Sequence, residues 1–230
     1  MATKPSIEQI AEARAYILQR VSNQRLLEEE LDREFDEATS KVALIILKYR
    51  NRGMKLRFKG SSMMAREIQE VIDYLESRIA ELVDYYCIPD EAEDDKEAED
   101  AIHAFIRAKD HGFTYDDRMT LYLSNIISEL DEIDYDELID MDLIEEAIGE
   151  SIDKTENRID LLALNSVAIA FAFFASEKAI ELGTIGFYTY PGSANPCTFC
   201  SDKFYLFQPI TNEKPPYHPR CQCLTVYVYE

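Results

Sequence analysis

From Ser6 to Arg52 the chain runs without a proline or a glycine, and no other feature constrains its fold as much. Through that stretch Ile7, Ile10, Ala13, Ile17, Val21, Leu27, Leu31, Phe35, Val42, Ile45 and Ile46 recur at steps of three and four. That is the period of one helix face. The pattern predicts one very long helix, or two with a hinge near Ser22-Asn23. Ser6-Ile-Glu-Gln9 reads as its cap and Gly53 as its stop. A second helix is expected after Gly60-Ser61-Ser62, carried by Met64, Ile68, Val71, Ile72, Leu75, Ile79, Leu82 and Val83. It should end before Pro89, because a proline steers the preceding residue away from helical backbone. Two such helices joined by a short loop pack as an antiparallel hairpin.

Beyond Pro89 the stretch Asp90 to Asp100 is acidic and poor in apolar residues, which suits a mobile linker. It also suits a cap for a helix over Glu97 to Lys109, whose apolar members are Ala101, Ile102, Phe105 and Ile106. His103 falls in that helix as a packed or exposed residue rather than a ligand. Thr114-Tyr-Asp-Asp117 opens a further helix containing Met119, Leu121, Leu123, Ile126, Ile127 and Leu130, and a short acidic one is expected from Asp136 to Ile148. A last helix, about Thr155 to Leu182, is apolar on all sides from Leu161 to Ala175. That run is shorter than the ~20 residues a bilayer span needs, so it reads as the centre of a core, not as a membrane segment. Gly183 ends it. The period then changes to two, predicting strands at Thr184 to Tyr190 and Cys223 to Tyr229.

Four of the five cysteines border these strands, as Cys197-Thr-Phe-Cys200 and His218-Pro-Arg-Cys221-Gln-Cys223. A two-residue gap lets both thiolates of the first pair face one ion. In extended backbone, Cys221 and Cys223 point to the same side. His218 stands close enough to replace one of them, so five donors compete for the four positions of a tetrahedral zinc site. Disulfides fit the same spacing. The start of the chain is polar and lacks a signal-type apolar run, so the thiols are expected reduced. A metal here would pin the two strands together and brace the loop Phe204 to Tyr217. No βαβ pattern surrounds the Cys-x-x-Cys to suggest a redox role. Pro196-Cys197-Thr-Phe-Cys200 matches half of the zinc deaminase signature, but the required His-x-Glu is missing: Ala104-Phe105 follows His103 and Gly112-Phe113 follows His111. No catalytic set is assembled, and no enzymatic activity or bound organic cofactor is expected.

Charge narrows the partners. Twenty-four basic residues against 45 acidic ones leave a formal net charge of −21. The acidic excess concentrates between Glu81 and Asp153, where only Lys96, Arg107, Lys109 and Arg118 oppose it. Such a surface repels DNA, whose binding rests on neutralising phosphates. Lys41, Lys48, Arg50, Arg52, Lys55, Arg57 and Lys59 run the other way. They read as a solvated helix end complementing the C-terminal dipole, or as a weak contact for a phosphate or an acidic partner.

The residues from about Thr155 to Glu230 also resemble a known family. A long buried helix, a glycine turn, an aromatic strand, Cys-x-x-Cys and a proline-rich loop lead into Pro215-Pro-Tyr-His218-Pro-Arg-Cys221-Gln-Cys223. This order is similar to the C-terminal domain of Mu F-like minor head proteins of tailed bacteriophages. Two departures are visible: Ser193-Ala194-Asn195 stands where the family usually has Asp-x-Arg, and Tyr188 and Tyr190 stand on a strand that often carries Trp. The resemblance implies a structural protein of the virion head interior or neck, assembled in the host cytoplasm. Its partners would be the portal and other head proteins, and it would assist head assembly, DNA packaging or ejection. A phage-delivered nuclease or transferase effector, or a zinc-binding adaptor, is the alternative. A nuclease needs a basic cleft, and the C-terminal third offers few basic residues, among them Lys178, Lys203, Lys214 and Arg220. The expected fold is mainly α, a long helical hairpin and bundle with a small C-terminal β element stapled by a zinc knuckle. The expected division is 1–89 hairpin, 90–153 acidic helical region or linker, and 154–230 knuckle domain.

Overall fold

The computed structural model describes residues 4–52, 56, 62–108, 114–135, 140–192, 198, 200–216 and 221–229. Among them are five α-helices: α1 Ile7–Asn51, α2 Met63–Tyr86, α3 Lys96–Ile106, α4 Tyr115–Leu130 and α5 Met141–Glu181. Three strands follow, β1 Thr184–Tyr190, β2 Phe207–Pro209 and β3 Leu224–Tyr229. The chain is thus mainly helical with a small antiparallel sheet. It forms two compact units, each discontinuous in sequence. One combines Met1–Leu27, Asp84–Ile106 and Leu164–Glu230; the other combines Glu28–Val83 and Arg107–Ala163. These limits fall inside α1 and α5 and do not follow chain order, as the division at 89 and 153 does.

The second unit is all helix. From α1 it buries Leu31, Phe35, Ala38, Val42, Ile46 and Tyr49, and from α2 Ile68, Ile72, Leu75 and Ile79, each series at three- and four-residue steps. Cross-links fix the direction of this pair. Lys48 Nζ reaches Glu67 at 2.6 Å, Lys41 lies 4.6 Å from the Tyr74 ring centre, and Arg78 Nε reaches Glu34 at 3.1 Å. As one number rises the other falls, so the two helices are antiparallel, as the long apolar runs predict. Met119, Leu123 and Ile126 of α4 and Ile144, Ile148, Ile152 and Ile159 of α5 complete the core. Each fully buried Leu, Ile or Phe contributes roughly 1.5–3 kcal/mol over an exposed one.

Helix starts follow the local chemistry. At α1 the Ser6 amide donates to Gln9 Oε1 at 2.8 Å and the Gln9 amide to Ser6 Oγ at 3.1 Å, the reciprocal cap read from the sequence. No hinge interrupts α1 at Ser22-Asn23. At α4 the pair Thr114–Asp117 repeats the device. Asp95 accepts from the amides of Glu97 and Ala98 and so caps α3. Asp90–Ala92, read as part of a linker, is a single 3-10 turn with Ala92 fully buried. The gain from capping α3 and burying Ala92 outweighs the polarity of the segment.

One correction concerns α5. A short helix ending at Ile148 and a separate one from Thr155 are a single helix of 41 residues. Gly149 does not break it, because Ile144, Ile148, Ile152, Thr155 and Ile159 continue one buried stripe across it. Gly53 and residues 136–139 lie outside the described residues.

The first unit holds the other half of α5, the N-terminal part of α1, α3 and the sheet. α5 is long and apolar enough by composition to cross a membrane, yet 61% of its most apolar window is buried within the protein. Val167, Ala168, Ala170 and Phe171 are nearly inaccessible. Side chains of α1 hydrogen-bond to this helix: Tyr16 Oη donates to the Phe171 carbonyl at 2.9 Å and Gln24 Nε2 to that of Leu164 at 2.7 Å. Phe105 of α3 stacks on Phe173 with ring centres 4.3 Å apart. His103 Nε2 lies 3.3 Å from the Asp84 carbonyl, a packed helix residue. Gly183, at φ 78°, takes the left-handed conformation that closes α5, and its amide bonds to Ile180 at 3.0 Å.

The sheet order is β2-β1-β3, all antiparallel. Phe187 faces Tyr227 and Tyr188 faces Val226, so the two strands read from the sequence are direct partners. β2 falls within the expected loop Phe204 to Tyr217, and its three residues pair with Gly186, Phe187 and Tyr188. A strand so short, ending in Pro209, has no period of its own and exists only because β1 presents a free edge.

Candidate metal centre

Cys200 ends a tight turn. Ser201 donates from its amide and its hydroxyl to the Thr198 carbonyl, at 3.4 and 2.7 Å, and the Lys203 amide bonds to the Cys200 carbonyl at 3.1 Å. This folds the chain into the 3-10 turn Ser201–Lys203 and holds the Cys200 side chain inward. Cys221 and Cys223 stand in the extended approach to β3, where alternation puts both on one side. Gly192 makes their approach possible. A Cβ there would lie 1.5 Å from the Gln222 carbonyl oxygen, so no larger residue fits beside the Cys221–Cys223 backbone.

The three thiols converge. Cys200, Cys221 and Cys223 are 0%, 1% and 6% exposed, with Phe204 packed against them. Their sulfurs all lie within 4.8 Å of one another. A tetrahedral ion about 2.3 Å from each thiolate sets its sulfurs roughly 3.8 Å apart, so the cluster needs little adjustment to close on one. All three are free thiols, so no disulfide joins them. Of the five donors read from the sequence, the structure brings these three together. Cys197 and His218, like His111, lie outside the described residues.

Electrostatics favour a cation at this point. The hydrogen bond with Cys221, then burial and the neighbouring Cys200, push the Cys223 thiol well above its usual range. Three ionised sulfurs this close repel one another unless a cation sits among them, and coordination deprotonates a thiol outright. All-sulfur donors suit soft or borderline ions and exclude calcium and magnesium, which take oxygen.

Sequence reasoning missed Arg20. It is 2% exposed, and its guanidinium donates from Nη2 to the Cys221 carbonyl at 2.6 Å. Burial lowers its pKa, while Cys221, Cys223 and Tyr16 act in the opposite direction. The contact spans 201 positions, so no local motif announces it. One sign was present: in the helical period Ala13, Ile17, Leu27 and Leu31 place Arg20 on the inward stripe, where a charge is out of place.

Carboxylates converge elsewhere, in the all-helical unit. Oxygens of Asp32, Glu156 and Asp160 lie within 4.8 Å of one another. Burial first, then Asp160, Asp32, Asp153 and Asp36, raise the Glu156 carboxyl to about 7. No sequence pattern singled out this trio among so many acidic residues. The basic stretch is partly neutralised within its own unit, Lys41 by Glu37 and Lys48 by Glu67. Lys55, Arg57 and Lys59 lie outside the described residues. No family model, curated protein or solved structure matches the chain.

Proposed function

We propose that this chain is a structural protein of a tailed-phage head, a minor head protein of Mu F-like type whose C-terminal element is stapled by zinc. The observation that supports this reading is the convergence of Cys200 with Cys221 and Cys223 beside the β1–β3 pair. Thiols that gather where two short strands meet use a metal to hold shape. Zinc suits the donors: it takes thiolate and imidazole in a closed tetrahedron and has no redox chemistry to damage them. The ligands are Cys200, Cys221 and Cys223 with Cys197 or His218, or four of these five in another combination.

The acidic charge agrees with a role among proteins rather than on DNA. Its partners are the portal and neighbouring head proteins, its place is the virion head or neck, and it needs no membrane. Any phosphate or acidic partner meets the stretch from Lys41 to Lys59, where Arg52 keeps an exposed side chain beside the Tyr49 ring. Purified virions and infected-cell lysates, probed for this chain and for the portal, test the reading. Co-purification with the portal and presence in virions are expected. Recovery from host cytosol alone, absent from virions, overturns it in favour of a delivered effector.

A further inference from the structure

The metal site contains three buried thiols and, beside them, a buried guanidinium. Arg20 is 98% inaccessible, since only 2% of it is exposed. Its described polar contact is the Cys221 carbonyl, and its Nε is buried without a hydrogen-bond partner. Among the described residues no carboxylate forms an ion pair with it. The groups that interact with its charge are Cys221, Cys223 and Tyr16. Leaving a charge buried without a counter-ion costs several kcal/mol. A cavity of about 40 Å³ lined by Tyr16, Arg20, Phe171 and Cys223 has room for a water. A water can accept from Nε, but it cannot neutralise a guanidinium.

A zinc ion held by the thiolates supplies the missing anion. Zinc carries two positive charges. With three thiolates and an imidazole the centre has net charge −1, and with four thiolates it has −2. Either way the loaded site is an anion in a low-dielectric pocket, and it needs a cation as much as Arg20 needs an anion. We infer that Arg20 is the counter-ion of an anionic zinc–thiolate centre, so that metal loading and the seating of the first turns of α1 stabilise each other. This rests on the metal reading above and adds to it a positioning residue from the far end of the chain. Tyr16, one helical turn before Arg20, holds the same part of α1 to the Phe171 carbonyl. The seating is therefore local to α1, α5 and the knuckle. By linkage, whatever binding energy zinc draws from Arg20 returns as stability of the docked helix.

The experiment measures zinc affinity by competition with a chromophoric chelator, in the full chain and in Arg20→Met and Arg20→Lys. Thermal melts follow, with zinc and after its removal. Outer-shell partners of metal ligands are worth about 10–100-fold in affinity, so Arg20→Met should bind zinc weaker by that factor. Arg20→Lys, which keeps the charge and changes the shape, should recover most of the loss. The sign of the metal-free melt separates a counter-ion from a packing residue. Without zinc, Arg20→Met should be at least as stable as the parent, because the substitution removes an uncompensated charge. With zinc it should be less stable. An equal loss of stability in both states means a packing role and overturns the inference, as does unchanged zinc affinity in Arg20→Met. A parent chain that takes up no zinc overturns the metal reading itself, and the counter-ion role with it.

Discussion

The all-helical unit and the knuckle obtain order by different means. In the helical unit, Leu31, Phe35, Ile46, Ile68, Leu75, Ile79 and Met119 are all nearly inaccessible. Each is one of many equivalent contributions along helices of several turns. At the knuckle the sheet has strands of seven, three and six residues. Among the described residues its cysteine cluster has one partly buried hydrophobic neighbour, Phe204. A redundant apolar core tolerates the loss of any one member. The strands bury Phe187, Leu224, Val226 and Val228, but the turns that bring Cys200 to Cys221 and Cys223 depend on the point where the thiols meet. Long Pro-free helices distribute order along their length, whereas a loop-rich element concentrates it, and a metal on the three thiols would do so at one point.

The largest effect should therefore come from the smallest change. Cys200→Ser or Cys221→Ser, or removal of zinc by a chelator, should abolish hydrogen-exchange protection of β1 and β3 and leave α2 and α4 protected. Structural zinc contributes on the order of 10 kcal/mol in small sites, comparable to a typical domain's whole stability. Elemental analysis of protein purified without added metal should find about one zinc per chain. Retained protection of the strands in Cys200→Ser means the cluster is not a staple.

The opposite perturbation sharpens the contrast. Phe35→Ala opens a cavity in the helical unit and should cost about 3–5 kcal/mol there. Zinc affinity should be unchanged, because Phe35 belongs to the other unit. Smaller again, Thr114→Ala deletes the side chain that accepts from the Asp117 amide at 3.0 Å and should cost about 1 kcal/mol. Exchange of the first amides of α4 should quicken while the knuckle is untouched. A change in zinc binding in either variant would mean the two units do not act separately.

The two regions also differ in how far they can be read without a structure. A 3.6-residue period sustained through α1 and α2 leaves little alternative to an antiparallel pair, and Ser6-Ile-Glu-Gln9 encodes its cap by spacing alone. The pairing of Cys221 with Cys223 was legible for the same local reason, since a one-residue gap in extended backbone points two sulfurs one way. What escaped depended on distance or on competition. Arg20 meets Cys221 across most of the chain. β2 takes its conformation from the edge of β1. The two helices expected over Asp136 to Ile148 and from Thr155 are one, because the buried stripe Ile144, Ile148, Ile152 and Ile159 runs on between them. Asp32 meets Glu156 and Asp160 only because α1 and α5 pack, and nothing in a chain with 45 acidic residues marks those three.

That carboxylate cluster gives the smallest and most specific test of the helical unit. Glu156 is half-buried beside Asp160 and Asp32, and its folded-state pKa is raised to about 7, from an ordinary value of 4.5. Between those two pH values the folded chain holds a proton that the unfolded chain has lost. Stability must then fall as pH rises through that window, the reverse of a carboxylate in an ion pair. Below about 4.5 both states are protonated and the penalty vanishes; above about 7 it is complete. Glu156→Gln keeps the shape and removes the titration. The variant should match the parent near pH 4 and exceed it at pH 8 by about 1 kcal/mol or less, since partial exposure screens the repulsion. Denaturant melts of the helical unit at both pH values measure the difference. A constant offset at the two pH values would assign the effect to packing of the glutamine, and a parent stability that rises from pH 5 to 7 while the variant's does not would show that Glu156 is held as an anion. The same titration should leave zinc affinity untouched at fixed pH, because Glu156 and the three cysteines belong to different units.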